Sequence, residues 1–285
     1  MTNRNTTHRN KKIMRRSISF VLSYLLTLIF AVLFILVGIL AGVFNDSVIL
    51  NHLQRSNYYQ SIYTTIQNNA ESVLLPTGID ISVLSDVITM DRVYIAAKNT
   101  IEAEIKGESV VQDTKRIKNQ LKENILRFAD EKELLLEAEQ QVGVETLCEA
   151  VSTEYTKMLD FPFIKYYVQY KTTYQSLMRI GVPILLLLAT VIIVILLKLH
   201  KYQHQGVRYV AYSVLAASIM ITIVPVLLLV SKAYQKLNVS PKYFYNFMVN
   251  YIRWDISVFV YIGGIGLAIF TGLLLYISIL KKKIY

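Results

Sequence analysis

Four long apolar segments dominate the pattern of the chain. They cover residues 18–44, 180–197, 209–231 and 256–280, and none contains Asp, Glu, Lys, Arg or His. A helix needs about 20 apolar residues to cross the hydrocarbon core of a bilayer, so the pattern predicts four transmembrane helices. The apolar part of a cleaved signal peptide is only about 7 to 15 residues long. We therefore interpret the first segment as a retained anchor.

Residues 45–172, between the first and second apolar segments, follow a different pattern. Apolar residues recur there at helical spacing, as in the series Ile117, Leu121, Ile125 and Phe128, which lies on one face of an amphipathic helix. No stretch alternates apolar and polar residues for long enough to predict a strand. We expect one extracytoplasmic domain of four to six helices here. The predicted fold class is an all-α integral membrane protein with this helical domain between transmembrane helices 1 and 2.

Residues 232–255, between the third and fourth apolar segments, hold a second helical signal. Ser240 and Pro241 are favourable as an N-cap and a first helical residue. An aromatic face follows them, made of Tyr243, Phe244, Phe247, Tyr251 and Trp254. Tyr and Trp are enriched where a membrane meets water, so we interpret this face as an interfacial belt. A cap on the outer domain and a ligand groove are the alternatives.

Two of the apolar segments carry faces of small residues. Gly38 and Gly42 form a Gly-x-x-x-Gly pair, and Gly264, Ala268 and Gly272 recur at every fourth residue. Small residues allow helices in lipid to approach closely. We therefore predict that both faces are sites of helix packing. Packing within the chain is favoured over a homo-oligomer seam, because four spans must contact one another.

The composition fits this interpretation. Hydrophobic residues make up 54% of the chain and charged residues 18%, with a mean hydropathy of +0.41, whereas charged residues are about 25% of an average soluble domain. This balance excludes an intrinsically disordered chain and argues against an ordinary soluble enzyme. The single cysteine, Cys148, excludes a disulfide framework.

The net charge of +10 is distributed unevenly along the chain. Residues 45–172 hold 19 of the 20 acidic residues and 13 of the 30 basic ones, which gives −6; the remaining acid is Asp255. Most of the other bases lie beside the apolar segments, in residues 1–17, 198–208 and 281–285. This pattern is typical of membrane topology determinants and not of nucleic-acid binding. We therefore predict a multi-pass protein of the cell membrane with both termini in the cytoplasm.

Few groups in the sequence could carry chemistry. His200 and His204 are four residues apart, as in some zinc sites, but no Glu and no third ligand lies near them. The carboxylates of residues 130–139 form a dense run that is typical of a solvated helix face. Cys148 has no neighbouring His to activate it. We therefore expect no catalytic residue, no metal site and no cofactor.

The threading of the chain bears on its function. One span, a large outer domain and three further spans is similar to the arrangement in ABC permeases of the cell-division and macrolide-export type. That resemblance implies a permease-like subunit, and it rests on threading without any motif. Our leading hypothesis is a non-enzymatic bacterial membrane protein whose domain at residues 45–172 binds a protein or envelope partner, as a sensor, scaffold or accessory subunit. A membrane enzyme is a third, weaker alternative.

Overall fold

A computed structural model describes residues 2–108, 114–134 and 137–282, and within these ranges every regular element is helical. The α-helices are α1 (Thr2–Ala41), α2 (Asp46–Arg55), α3 (Tyr58–Leu74), α4 (Met90–Lys106), α5 (Thr114–Glu131), α6 (Ala138–Leu159), α7 (Pro162–Leu199), α8 (Gln203–Ser231) and α9 (Lys242–Lys282). Short 3₁₀ helices lie at Leu75–Thr77, Ile81–Leu84 and Ala233–Gln235. The prediction of an all-α fold is confirmed. Residues 283–285 of the predicted C-terminal tail lie outside the described residues.

Four helices are long and apolar enough to cross a membrane, as predicted. They are α1, α7, α8 and α9, and each exceeds the length of its apolar segment. The N-terminal basic residues belong to α1, and the turn between α7 and α8 is reduced to residues 200–202. The predicted aromatic helix in residues 232–255 is not a separate element, because α9 continues from Lys242 through the fourth apolar segment.

The chain divides into two compact units. One consists of Met1–Val48, Thr173–Asn238 and Met248–Tyr285, and contains the apolar segments; we call it the apolar unit. The other, here called the polar unit, consists of Ile49–Thr172 and Val239–Phe247. The short segment Val239–Phe247 thus joins a unit that is otherwise built from residues before the second apolar segment.

Close helix contacts hold the apolar unit together. Helices α1 and α8 pack against each other, and the hydroxyls of Ser23 and Ser213 lie 2.9 Å apart between them. A second small cluster joins α1, α8 and α9 through Ala31, Ala217, Ile221, Val258 and Ile262. In lipid there is no hydrophobic drive between helices, so dense packing and interhelical hydrogen bonds supply the association. Dense packing explains why the five residues of this cluster are small or β-branched.

The polar unit has an apolar core of its own. Helix α3 packs against α4 and α6, and α5 packs against α6. The core side chains include Ile62, Ile66, Ala97, Ile101, Leu121, Ile125, Cys148 and Val151, all buried. The predicted face of α5 is therefore the buried one, with Phe128 half-buried at its end. Gly107 ends α4 in the left-handed conformation, with φ of 78°, as its position in the sequence predicts.

We expect Glu104 to make the stability of the polar unit depend on pH. Its Oε2 atom is buried without a hydrogen-bond partner, and burial, followed by the charge of Asp160, raises the pKa of this carboxyl above its usual value. The folded state therefore favours the protonated form. The stability contributed by this group is complete below the ordinary pKa of about 4.3 and is lost as pH rises through the raised value.

We expect Glu104→Gln to raise the unfolding temperature of the full chain at pH 7 and to have little effect near pH 4. The amide keeps the shape of the protonated acid but carries no charge at either pH. Thermal unfolding at both pH values measures the difference. Glu108→Gln is the control, since Glu108 is exposed and should give no such dependence. A Glu104→Gln effect of equal size at both pH values would show that burial of the charge is not the cause.

Candidate binding groove of the polar unit

A cluster of aromatic rings joins the segment Val239–Phe247 to the rest of the polar unit. Phe247 is 0% exposed, and its ring centroid lies 5.6 Å from that of Phe161 in an edge-to-face arrangement. Tyr58 adds similar contacts, at 5.3 Å to Phe161 and 5.6 Å to Tyr243. Such pairs stabilise a core beyond the area that they bury. The cluster fixes the first turns of α9 against α3.

A groove of about 300 Å³ lies along this junction. Helix α3 lines one wall and the first two turns of α9 line the other. The lining residues are Gln60, Ser61, Thr64, Thr65, Lys242, Tyr243 and Asn246. Residues from two distant parts of the sequence therefore form one surface, and it exists only because the aromatic cluster holds them together.

The groove is lined mainly by groups that form hydrogen bonds. The hydroxyls of Ser61, Thr64 and Thr65 donate to the carbonyl oxygens of the residues four positions earlier, which leaves their oxygen lone pairs available as acceptors. Gln60 and Asn246 add amide groups that both donate and accept. Lys242 adds one positive charge, and no lining residue is acidic. The groove therefore suits a neutral or anionic polar ligand.

The predicted interfacial residues occupy several environments. Phe247 and Tyr251 are buried, while Tyr243 and Phe244 are half-buried and Trp254 is exposed. The Tyr251 hydroxyl donates to the Val43 carbonyl oxygen. Phe247 and Tyr251 therefore pack inside the protein, and the interpretation of this face as an interfacial belt stays a prediction. The alternative that the sequence left open, a cap on the helical domain, describes the position of Phe247.

The predicted small-residue faces differ in their surroundings. Phe259 lies directly against Gly38, and Asp255 lies against Gly42, so α9 packs on this face of α1. In contrast, Gly264, Ala268 and Gly272 are exposed, and a Cβ added at either glycine would meet nothing within 4 Å. The expected packing of this second face within the chain is wrong for the described residues. A contact with another copy of the chain stays a prediction.

The close approach of α9 to α8 uses two neighbouring glycines that the periodic pattern did not single out. A Cβ at Gly263 would overlap the Thr222 hydroxyl, and one at Gly266 would overlap the Ser218 hydroxyl. These hydroxyls donate within α8, from Ser218 to Val214 and from Thr222 to Ser218. Glycine is needed at both positions because the partner surface is already hydrogen-bonded and packed.

Asp255 is a second residue whose importance the sequence analysis missed. It lies inside α9, where it is 9% exposed, and its Oδ1 atom is buried without a hydrogen-bond partner. The sequence did contain a signal for it, because it is the one acid outside residues 45–172. A lone carboxylate in a strongly basic remainder of the chain is unusual enough to mark a site.

The remaining candidates occupy separate structural positions. The Nδ1 atom of His200 donates to the Leu196 carbonyl oxygen at 3.0 Å, and His204 stacks against Tyr202. Cys148 is buried in the core of the polar unit. No group of three His, Cys, Asp or Glu side chains that could hold a metal ion occurs in the part of the chain that the structure describes.

Comparisons with known proteins add no homologue to this picture. No protein-family model, curated protein or solved structure matches the chain.

Proposed function

We propose that this chain is a non-enzymatic, multi-pass protein of the cell membrane, and that its polar unit binds a protein or envelope partner outside the cell. The groove between α3 and the start of α9 carries this proposal. Its walls offer amides, hydroxyls, one lysine and one tyrosine. Such groups recognise a polar surface through hydrogen bonds and a single positive charge.

The proposed orientation follows from the basic flanks. Lysine and arginine are retained on the cytoplasmic side of short loops, and they surround α1 at its start, the turn at residues 200–202 and the end of α9. With four spans these three places lie on one side. Both termini are then cytoplasmic, and the polar unit with its groove faces outward.

A permease-like role receives less support from the geometry. In the permeases with similar threading, a coupling segment for an ATPase lies between the second and third spans. Here residues 200–202 are the whole connection between α7 and α8. Three residues cannot form a helix of their own, so an ATPase would have no such segment to contact.

A substitution that fills the groove tests the proposal. Thr64 is exposed on the groove wall, so Thr64→Arg should block a ligand without disturbing the core. Thr146→Arg is the matched control, because Thr146 is also exposed in mid-helix and its hydroxyl makes the same bond one turn back, 3.0 Å to the Val142 carbonyl. Crosslinking in intact cells, followed by purification of the full chain, measures what is bound.

We expect the same partner to be recovered with the unchanged chain and with Thr146→Arg. The recovered amount should fall at least tenfold with Thr64→Arg. Equal recovery with both variants would exclude the groove as the binding surface. The orientation is tested in the same cells, with a cysteine at position 64 in a Cys148→Ser background. Failure of a membrane-impermeant thiol reagent to label that cysteine would overturn the outward placement.

A further inference from the structure

Asp255 lies at an unusual place in the apolar unit. It is more than nine-tenths buried, and its Oδ1 atom would lie 3.1 Å from a Cβ built on Gly42. Gly42 follows the last residue of α1, Ala41, so the carboxylate is held against the C-terminal end of that helix. Glycine at this position gives the carboxylate the space that it occupies.

The electrostatics of this position are unfavourable for an anion alone. The C-terminal end of a helix carries a partial negative charge of roughly half an electron, and a buried carboxylate without a partner loses its hydration. Among the described residues its Oδ1 atom has no hydrogen-bond partner, and none of the ion pairs found there includes Asp255. These residues therefore supply no positive charge that stabilises the ionised carboxylate.

Other oxygen atoms surround the same place. The Tyr251 hydroxyl, one turn before Asp255 in α9, donates to the Val43 carbonyl at the end of α1. Asp46 is the first residue of α2, four residues after Gly42 along the chain. A buried carboxylate, a phenol oxygen and a backbone carbonyl thus lie where α1 ends, and a second carboxylate follows closely in the sequence. Hard divalent cations take carboxylate, carbonyl and water oxygens as ligands, with no need for nitrogen or sulfur.

We infer that Asp255, with Asp46 and the backbone oxygens at the end of α1, forms a binding site for a hard divalent cation of the calcium class. The ion neutralises the carboxylate and the end of the helix together, and thereby ties α9 to α1. Water molecules complete its coordination, as they do in many weak sites. The inference is independent of the proposed groove, which lies in the other unit and contains no acid.

Trp254 provides a direct probe of this site, because it is the single tryptophan of the chain and precedes Asp255. The full chain, purified with chelator and placed in nanodiscs of zwitterionic lipid, is titrated with CaCl₂ at constant ionic strength while Trp254 fluorescence is recorded. We expect a saturable change with a midpoint of about 0.1–1 mM, the range of weak extracellular calcium sites. Magnesium should act at higher concentrations, because it demands a stricter geometry.

Asp255→Asn should raise the calcium concentration at this midpoint at least tenfold, and Asp46→Asn should also raise it. Asp130→Asn is the control, since Asp130 is an exposed carboxylate of the polar unit, and it should leave the midpoint unchanged. Equilibrium dialysis of the unchanged chain with radioactive calcium keeps the test decisive if a variant does not fold. An unchanged chain that neither binds calcium nor responds to it overturns the inference, as does an Asp255→Asn midpoint equal to the original.

Discussion

Replacing Phe247 with alanine is expected to destabilise the polar unit by about 3–5 kcal/mol, the usual cost of removing a large aromatic side chain from a core. Phe247 is fully buried and contacts three rings from two other parts of the unit, that of Tyr58 in α3 and those of Phe161 and Phe163 around the start of α7. Its loss leaves a cavity at the junction of α3 and α9. Because the groove lies along this junction, Phe247→Ala should also reduce partner binding.

Cys148 allows this effect to be measured in the full chain. It is the single cysteine and is 0% exposed in the core of the polar unit, so a thiol reagent reaches it only when that unit opens. A loss of 3–5 kcal/mol corresponds to labelling faster by roughly two to four orders of magnitude. Tyr166→Ala is the control, because the Tyr166 side chain is 63% exposed. Equal labelling rates in the two variants would mean that the aromatic cluster does not hold the unit closed.

Local periodicity predicted the helices of this protein well. The spacing of Ile117, Leu121 and Ile125 identified the buried face of α5, because a side chain's position around a helix depends on residue spacing alone. Gly107 marked the end of α4 for a similarly local reason. The four long apolar helices were predicted from the length and hydropathy of each segment. Both are properties of the segment itself and do not depend on which elements pack beside it.

Contacts between distant segments were not predictable in the same way. Nothing local in residues 239–247 shows that they join the polar unit, because their aromatic face would suit a membrane interface equally well. The glycines of α9 show the same limit. Spacing placed Gly264, Ala268 and Gly272 on one face, but only the position of α8 determines that Gly263 and Gly266 are the residues in contact.

We expect Gly263→Leu to destabilise the apolar unit by about 1–3 kcal/mol, as overpacking does in a tightly filled interior. Even a Cβ at this position overlaps the Thr222 hydroxyl and lies 3.3 Å from the Ser218 carbonyl. Helix α9 must therefore move away from α8. Membrane insertion should be unaffected because leucine favours the bilayer. The measurement is thermal unfolding of the full chain in detergent, monitored by loss of its monodisperse peak in size-exclusion chromatography.

The adjacent substitution Gly264→Leu is the matched control, with the same chemical change one residue along the same helix. It should be nearly silent, because nothing lies within 4 Å of a Cβ there. This outcome reverses what the spacing of small residues predicts. If Gly264→Leu is as damaging as Gly263→Leu, the exposed face packs against a second copy of the chain, and its effect should then depend on protein concentration.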